Sequence, residues 1–193
     1  MKRNYVKIRL TKERLIALSV FILTSIAIIL LYPHLYSLYK STQPIKKIVY
    51  FNVPMEFRED LRLAKNISVI PNEDSIRRIF WNRGLKKITI AILNSTNQTS
   101  LIGVEAYEIT FKLTTFYTIK RMNVEIKGRE ISEVHEISGD SSNPVIVIIP
   151  PELANETSVR VEDYNVYISG KSLKELDLAT IKFIMTVLHL ELE

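Results

Sequence analysis

Pro144-Val145-Ile146-Val147-Ile148-Ile149-Pro150-Pro151 is a run of five β-branched residues closed by proline on both sides. It lacks the alternation of a half-wetted strand, so it reads as a strand buried on both faces, with the prolines ending it. A strand of that kind needs packing layers around it, and the flanking sequence supplies candidates. Upstream, Leu85 to Leu93 (LKKITIAIL) is a second strand. Before it, about Glu73 to Arg83 reads as a helix, with Asn72 as N-cap, Glu73 and Asp74 in the first turn, Ile76, Ile79 and Phe80 on the buried face, and Gly84 at the stop. Earlier still, Lys47 to Val53 is rich in β-branched and aromatic residues and predicts a strand. Pro54 then opens a helix carrying Phe57, Leu61 and Ala64, and extended chain follows from Asn66 to Ile70.

Downstream of Leu93 the rhythm changes. Val104 to Lys120 and Asn123 to Ile137 are long, Thr- and Ile-rich and divided near Arg121, which predicts a β-hairpin or meander. Ser158 to Val161 and Tyr164 to Ser169 predict another, turning at Glu162-Asp163. Ser172 to about Leu188 is the strongest soluble helix, opened by a capping box of Ser172 and Glu175, with Leu173, Leu176, Ala179, Phe183, Ile184, Val187 and Leu188 on its apolar face. The fold class is therefore α+β: a mixed α/β first half, antiparallel hairpins and a C-terminal helix in the second half, all preceded by one transmembrane helix.

That last element comes from Leu15 to Tyr39, which contains no Asp, Glu, Lys or Arg, and whose first part (LIALSVFILTSIAIILLY) is almost wholly apolar. Such a length at 1.5 Å per residue covers a hydrocarbon core of about 30 Å. Tyr32, Tyr36 and Tyr39 mark an interfacial exit. The organisation is a basic cytoplasmic tail over 1–14, a transmembrane helix with its exit over 15–39, a linker over 40–46 and an extracytoplasmic mixed α and β domain over 47–193. Orientation follows from Lys2, Arg3, Lys7, Arg9, Lys12 and Arg14, opposed only by Glu13. Basic residues beside a span stay in the cytosol. Pro33 to Tyr39 offers no small-x-small cleavage site, so the segment predicts a signal anchor rather than a cleaved signal peptide.

The same tail carries the whole net charge of +5, and the remainder of the chain is balanced. A neutral domain lacks the concentrated cations that bind nucleic acid. With no cysteine, disulfides, thiolate metal sites and thiol nucleophiles are excluded. Four Asn-x-Ser/Thr sequons, at Asn66, Asn94, Asn97 and Asn155, all lie beyond the apolar segment and predict N-glycosylation outside the cell. Sequons without cysteine fit an archaeal cell envelope, as does a composition rich in Ile, Lys and Glu.

Chemical signatures are weak. Gly170-Lys171-Ser172 resembles the end of a phosphate loop, but Asn165 stands where the loop needs glycine and Ser172 is already an N-cap, so no nucleotide is expected. Glu133 and His135 would share one side of a strand as two metal ligands do, without an indicated third. His34 and His189 join no triad. Trp81 with Arg77 and Arg78 reads as a solvated face beside a core aromatic. Glu105 and Glu108 are carboxylates of the type used in acid-base catalysis, though spacing alone nominates neither. No catalytic residue, metal ligand set or cofactor is assigned. The expected role is a single-pass anchored binding or accessory module of the envelope, in contact with membrane lipid and with another envelope protein or a glycan. The alternative is an extracytoplasmic hydrolase with a carboxylate or metal site.

Overall fold

A computed structural model describes residues 30–31, 43–93 and 99–190. The expected span over Leu15 to Tyr39 lies outside the described residues except for Leu30 and Leu31, which are helical. Among the described residues no helix is long and apolar enough to cross a membrane. The chain divides into two compact units, Met1–Gln43 and Pro44–Glu193. The second unit carries the folded domain.

That unit is mixed α+β. A two-stranded hairpin, β1 (Lys47–Tyr50) and β2 (Val53–Glu56), precedes a six-stranded sheet made of β3 (Ser68–Ile70), β4 (Lys87–Leu93), β5 (Glu125–Ile131), β6 (Val145–Ile149), β7 (Ser158–Glu162) and β8 (Asn165–Ser169). The helices are α1 (Leu61–Ala64), α2 (Glu73–Phe80), α3 (Thr99–Ile119) and α4 (Leu173–Leu188). Strand order in the sheet is β3-β7-β8-β6-β4-β5. β4 pairs in parallel with both β5 and β6, and β6 with β8, while β7 and β8 form an antiparallel hairpin.

The five-residue run between prolines is β6, inside the sheet between β4 and β8. Its side chains alternate between two cores: Ile146 and Ile148 join the larger cluster beneath the helices, and Val145 and Val147 join a smaller one on the other face. Fully burying each such side chain contributes about 1.5–3 kcal/mol. β4 divides in the same way, Ile88 and Ile90 against Ala91 and Leu93.

Right-handed crossovers dictate what covers each face. From β4 the chain steps outward through α3 to β5, then returns past β4 to β6. Keeping the same hand while reversing direction requires the second connection to lie on the opposite face. Accordingly α3 packs into the larger core through Ile102, Ile109, Leu113 and Phe116, whereas Val134 and Ile137 of the β5–β6 connection close the smaller one. Gly139 in that connection passes so close to the sheet that a Cβ would stand 2.6 Å from the Tyr164 carbonyl oxygen. β5 is a true edge, charged along its length by Glu125, Lys127, Arg129 and Glu130.

Three expectations are corrected. Lys47 to Val53 is not one strand: Phe51 and Asn52, both at positive φ, turn it into the β1–β2 hairpin, and Pro54 sits within β2 rather than opening a helix. The stretch Val104 to Lys120 is the body of α3, so there is no hairpin with Asn123 to Ile137. The latter supplies β5, which pairs parallel with β4 and stops at Ile131. β-branched and aromatic content drew that segment toward strand, and burial of residues at helical spacing overrode it. Among the described residues the remaining elements stand close to where expected, with α2 ending at Phe80 rather than Arg83. Asn72 Oδ1 accepts from Ser75 N to cap α2, Ser172 Oγ accepts from Glu175 N to cap α4, and β7 and β8 turn at Asp163.

Gly170 joins β8 to α4 at a point where a Cβ would lie 2.2 Å from the Leu176 backbone nitrogen. The glycine of Gly170-Lys171-Ser172 is thus there to let the first turn of α4 dock on the strand end. Gly170→Ala is expected to destabilise the domain by about 1–3 kcal/mol, the usual cost of overpacking, read as a lower urea midpoint at unchanged slope. An unaltered midpoint would contradict this packing.

Candidate functional site: a buried ionic cluster beneath helix α3

α3 carries three charged residues, Glu105, Glu108 and Lys112, and all three turn inward. Glu105 and Lys112 rank with the core in burial, at 4% and 2% exposed. They are i and i+7, two turns apart on one helical face. Facing them, Asp177 comes from the second turn of α4 and Arg58 from the segment after β2. One Arg58 nitrogen, Nη1, donates to Glu105 Oε1 at 2.8 Å and stands 2.9 Å from Asp177 Oδ1. Lys112 pairs with Glu108 one turn back on its own helix and lies 4.7 Å from the centre of the Phe57 ring.

Arg58 is 43% exposed and Glu108 partly so, but Glu105 and Asp177 are buried side by side, and two negative charges there would be costly in low dielectric. The cluster resolves this by holding a proton. Burial, reinforced by the neighbouring Asp177, pushes the Glu105 carboxyl up to about 8, against the opposing pulls of the Thr180 hydroxyl and of Arg58. Burial also lowers the Lys112 ammonium to about 8, with Glu105 pulling the other way. With Glu105 protonated, Arg58 balances Asp177 and Lys112 balances Glu108. The cavity between Phe57, Arg58, Glu105, Asp177 and Thr180 measures ≈ 10 Å³, room for about one water. The buried Thr180 hydroxyl faces the Glu105 carboxyl across this cavity without reaching full hydrogen-bond geometry.

The outward side of α3 is the inverse of a normal amphipathic helix. Val104, Tyr107, Phe111, Thr114 and Thr118 are exposed, and none carries a charge. Their spacing alternates three and four residues. Tyr107 and Phe111 are 65% and 51% exposed, with rings stacked at 18° and centroids 6.2 Å apart. Beside them, Thr110 and Thr115 spend their hydroxyls on the Ala106 and Phe111 carbonyl oxygens, leaving their methyl groups unencumbered by a polar demand.

Elsewhere the expected features separate. Asn66 and Asn155 are exposed, as a glycan requires, whereas Asn94 and Asn97 lie outside the described residues. Glu133 and His135 do touch, but on a 3-10 turn whose capping box joins Glu133 and Glu136, not on a strand. Among the described residues no third ligand joins them. Trp81 is half-exposed and donates from Nε1 to the Val187 carbonyl at 2.8 Å, tying α2 to the end of α4. Arg77 is engaged by Glu73 and Asp74. The Lys120 ammonium sits 4.3 Å over Trp81 and also faces Phe51 and Phe116. His189 ends α4 in a left-handed cap. Of the carboxylates singled out in sequence, Glu105 and Glu108 both belong to the cluster. Arg58, Lys112 and Asp177 were missed, although Glu105, Glu108 and Lys112 share the spacing of one helical face.

No family model, no curated protein and no solved structure matches the chain.

The cluster predicts an unusual pH profile. Glu105 binds its proton more tightly folded than unfolded, so its stabilising contribution is complete below about 4.5 and is lost as pH rises toward about 8. Lys112 is shifted oppositely, so stability is regained between about 8 and 10.5 as the unfolded chain also loses that proton. The melting temperature is expected to fall by roughly 5 °C from pH 5 to a minimum near pH 8. Glu105→Gln should flatten the acid limb. Parallel profiles for the two proteins would contradict the assignment.

Proposed function

We propose that this protein is a single-pass, membrane-anchored module of the cell envelope that displays its folded domain outside and docks a protein partner through α3. The observation that carries the reading is the inversion of that helix. Its charges are spent inside the domain, and its solvent side offers Val104, Tyr107 and Phe111. Exposed rigid aromatics on an uncharged face are the material of interface centres. An isolated exposed apolar residue means nothing, but a continuous stripe along one helix calls for a cover.

The anchor is supported by the charge-free stretch from Leu15 to Tyr39 and by the basic tail before it. Asp60 supports a firm join between linker and domain. Its carboxylate accepts from Ile45 N at 3.1 Å and from Arg62 N at 3.0 Å, and the Arg62 guanidinium holds it down at about 2. The chain is thereby tied to α1 at the point where the domain begins. Exposed Asn66 and Asn155 fit glycan attachment on the outer side, and with the lack of cysteine they favour an archaeal envelope.

The alternative, an extracytoplasmic hydrolase, rests on Glu105, a carboxyl kept protonated as a general acid must be. Against it stands the cavity, which has no space for a substrate.

Two measurements test the proposal. Full-length protein should remain in the membrane pellet through alkaline extraction, and protease added to intact cells should remove the domain; a soluble chain or a protected domain would refute the anchor. In gentle detergent the protein should run as a complex heavier than one chain, and Tyr107→Glu with Phe111→Glu should release it at unchanged melting temperature. A parent protein that already runs as a single chain would refute docking.

A further inference from the structure

We infer that the domain lies against an anionic lipid surface through the tip of the β1–β2 hairpin and the cationic cleft beside it, where Arg83, Lys120 and Arg121 hold the lipid headgroup. The inference rests on the anchor proposed above and not on docking through α3.

The cleft opens where the end of α3 meets the segment between α2 and β4. It measures ≈ 610 Å³, and its walls include Trp81, Arg83, Lys120, Arg121 and Asn123 but no acidic residue. Arg83 and Arg121 are exposed, and neither has an acidic partner among the described residues. The Lys120 ammonium is held in place by the rings of Trp81, Phe51 and Phe116. Three cations gathered without a counter-charge repel one another. The carbonyl end of α3 accounts for Lys120 and Arg121, because cations are favoured at a helix C-terminus. Arg83 comes from a different segment and has no such reason to be there. An anion seated between the three removes the repulsion.

The hairpin places an apolar tip next to this cleft. Val49 and Phe51 are 73% and 66% exposed, and the Phe51 ring stands 5.6 Å from the Lys120 ammonium, so tip and cleft are continuous. Phe51 and Asn52 turn the chain at φ of 46° and 64°. Asn and Gly are the residues that favour such a turn, and a bulky ring at positive φ is strained. Contact with the edge of Tyr50 and with Lys120 covers only part of the ring. Strain kept at an exposed tip, with little burial to offset it, points to a contact made outside the domain.

The chemistry of the patch selects the surface. Exposed aromatic rings beside Lys and Arg are the composition of segments that lie at the membrane interface, and clustered cations next to a membrane favour anionic lipid. Chain length agrees. The linker over 40–46 extends at most about 25 Å, and β1 follows it directly. On an anchored chain the hairpin is therefore held within reach of the bilayer.

Trp81 is the sole tryptophan and lines the cleft, so the unmodified full chain carries its own probe. Full-length protein is reconstituted into vesicles of phosphatidylglycerol or of phosphatidylcholine, each with and without bromine on the acyl carbons nearest the headgroup, and its retention is measured by flotation. Trp81 emission is expected to fall by about half in brominated phosphatidylglycerol, as for an indole at the headgroup level, and to change little in brominated phosphatidylcholine. Arg83→Gln with Arg121→Gln should restore most of the emission at unchanged melting temperature. Chains that float with the vesicles but whose emission is indifferent to bromine would overturn lipid docking and leave the anchor standing. Equal quenching in the two lipids, or in parent and double variant, would overturn headgroup recognition by the cations and with it the inference. Chains that do not float would overturn the anchor itself.

Discussion

A single guanidinium nitrogen, Arg58 Nη1, stands between the carboxylates of Glu105 and Asp177, and together with the buried Ile102, Ile109, Leu113 and Phe116 that contact sets the rotation of α3 about its own axis. Turned the other way, α3 would bury Tyr107 and Phe111 and release Glu105 and Lys112 to water, but it would strip Ile102, Ile109, Leu113 and Phe116 from the core. Buried ion pairs seldom add stability over an apolar packing of the same volume, but removing one partner leaves a charge stranded and is strongly destabilising. The cluster therefore fixes the register of α3 on α4. The proton held by Glu105 keeps that arrangement neutral, and the apolar stripe outside accompanies it.

The sheet provides the platform. β4 and β6 lie side by side and parallel, and reversal of direction between them sends α3 to one face and the β5–β6 connection to the other. Because α3 lies over β4 next to α4, it packs inward on two sides and keeps its third side for solvent. Trp81 and Lys182 tie α2 to α4, through the Val187 carbonyl and the Glu73 carboxylate. The helical layer thus behaves as one packed slab against which α3 is braced.

Much of this could be read in the residues. The proline-bounded run Val145 to Ile149, the caps at Asn72 and Ser172 and the β7–β8 turn are local signals, and each fell where local chemistry put it. α3 was lost because Ile, Thr, Phe and Tyr favour strands, and because its charges sit on the face where apolar residues are looked for. An inverted helix defeats a rule that equates polar with outside. The Glu105–Asp177 contact spans more than seventy positions of chain, and nothing in the spacing of either residue reveals it. Gly170-Lys171-Ser172, by contrast, had its bland explanation within three residues: a close approach and a cap.

The central claim is that the uncharged side of α3 is covered where the protein works. Hydroxyl-radical footprinting measures this directly on the full-length chain, first in native membranes and then as dispersed single chains, with the exposed ring of Tyr164 as internal reference. The account predicts that Tyr107 and Phe111 are shielded in membranes and become several-fold more oxidised on dispersal while Tyr164 holds constant. Equal oxidation of Tyr107 and Phe111 in the two states would contradict it.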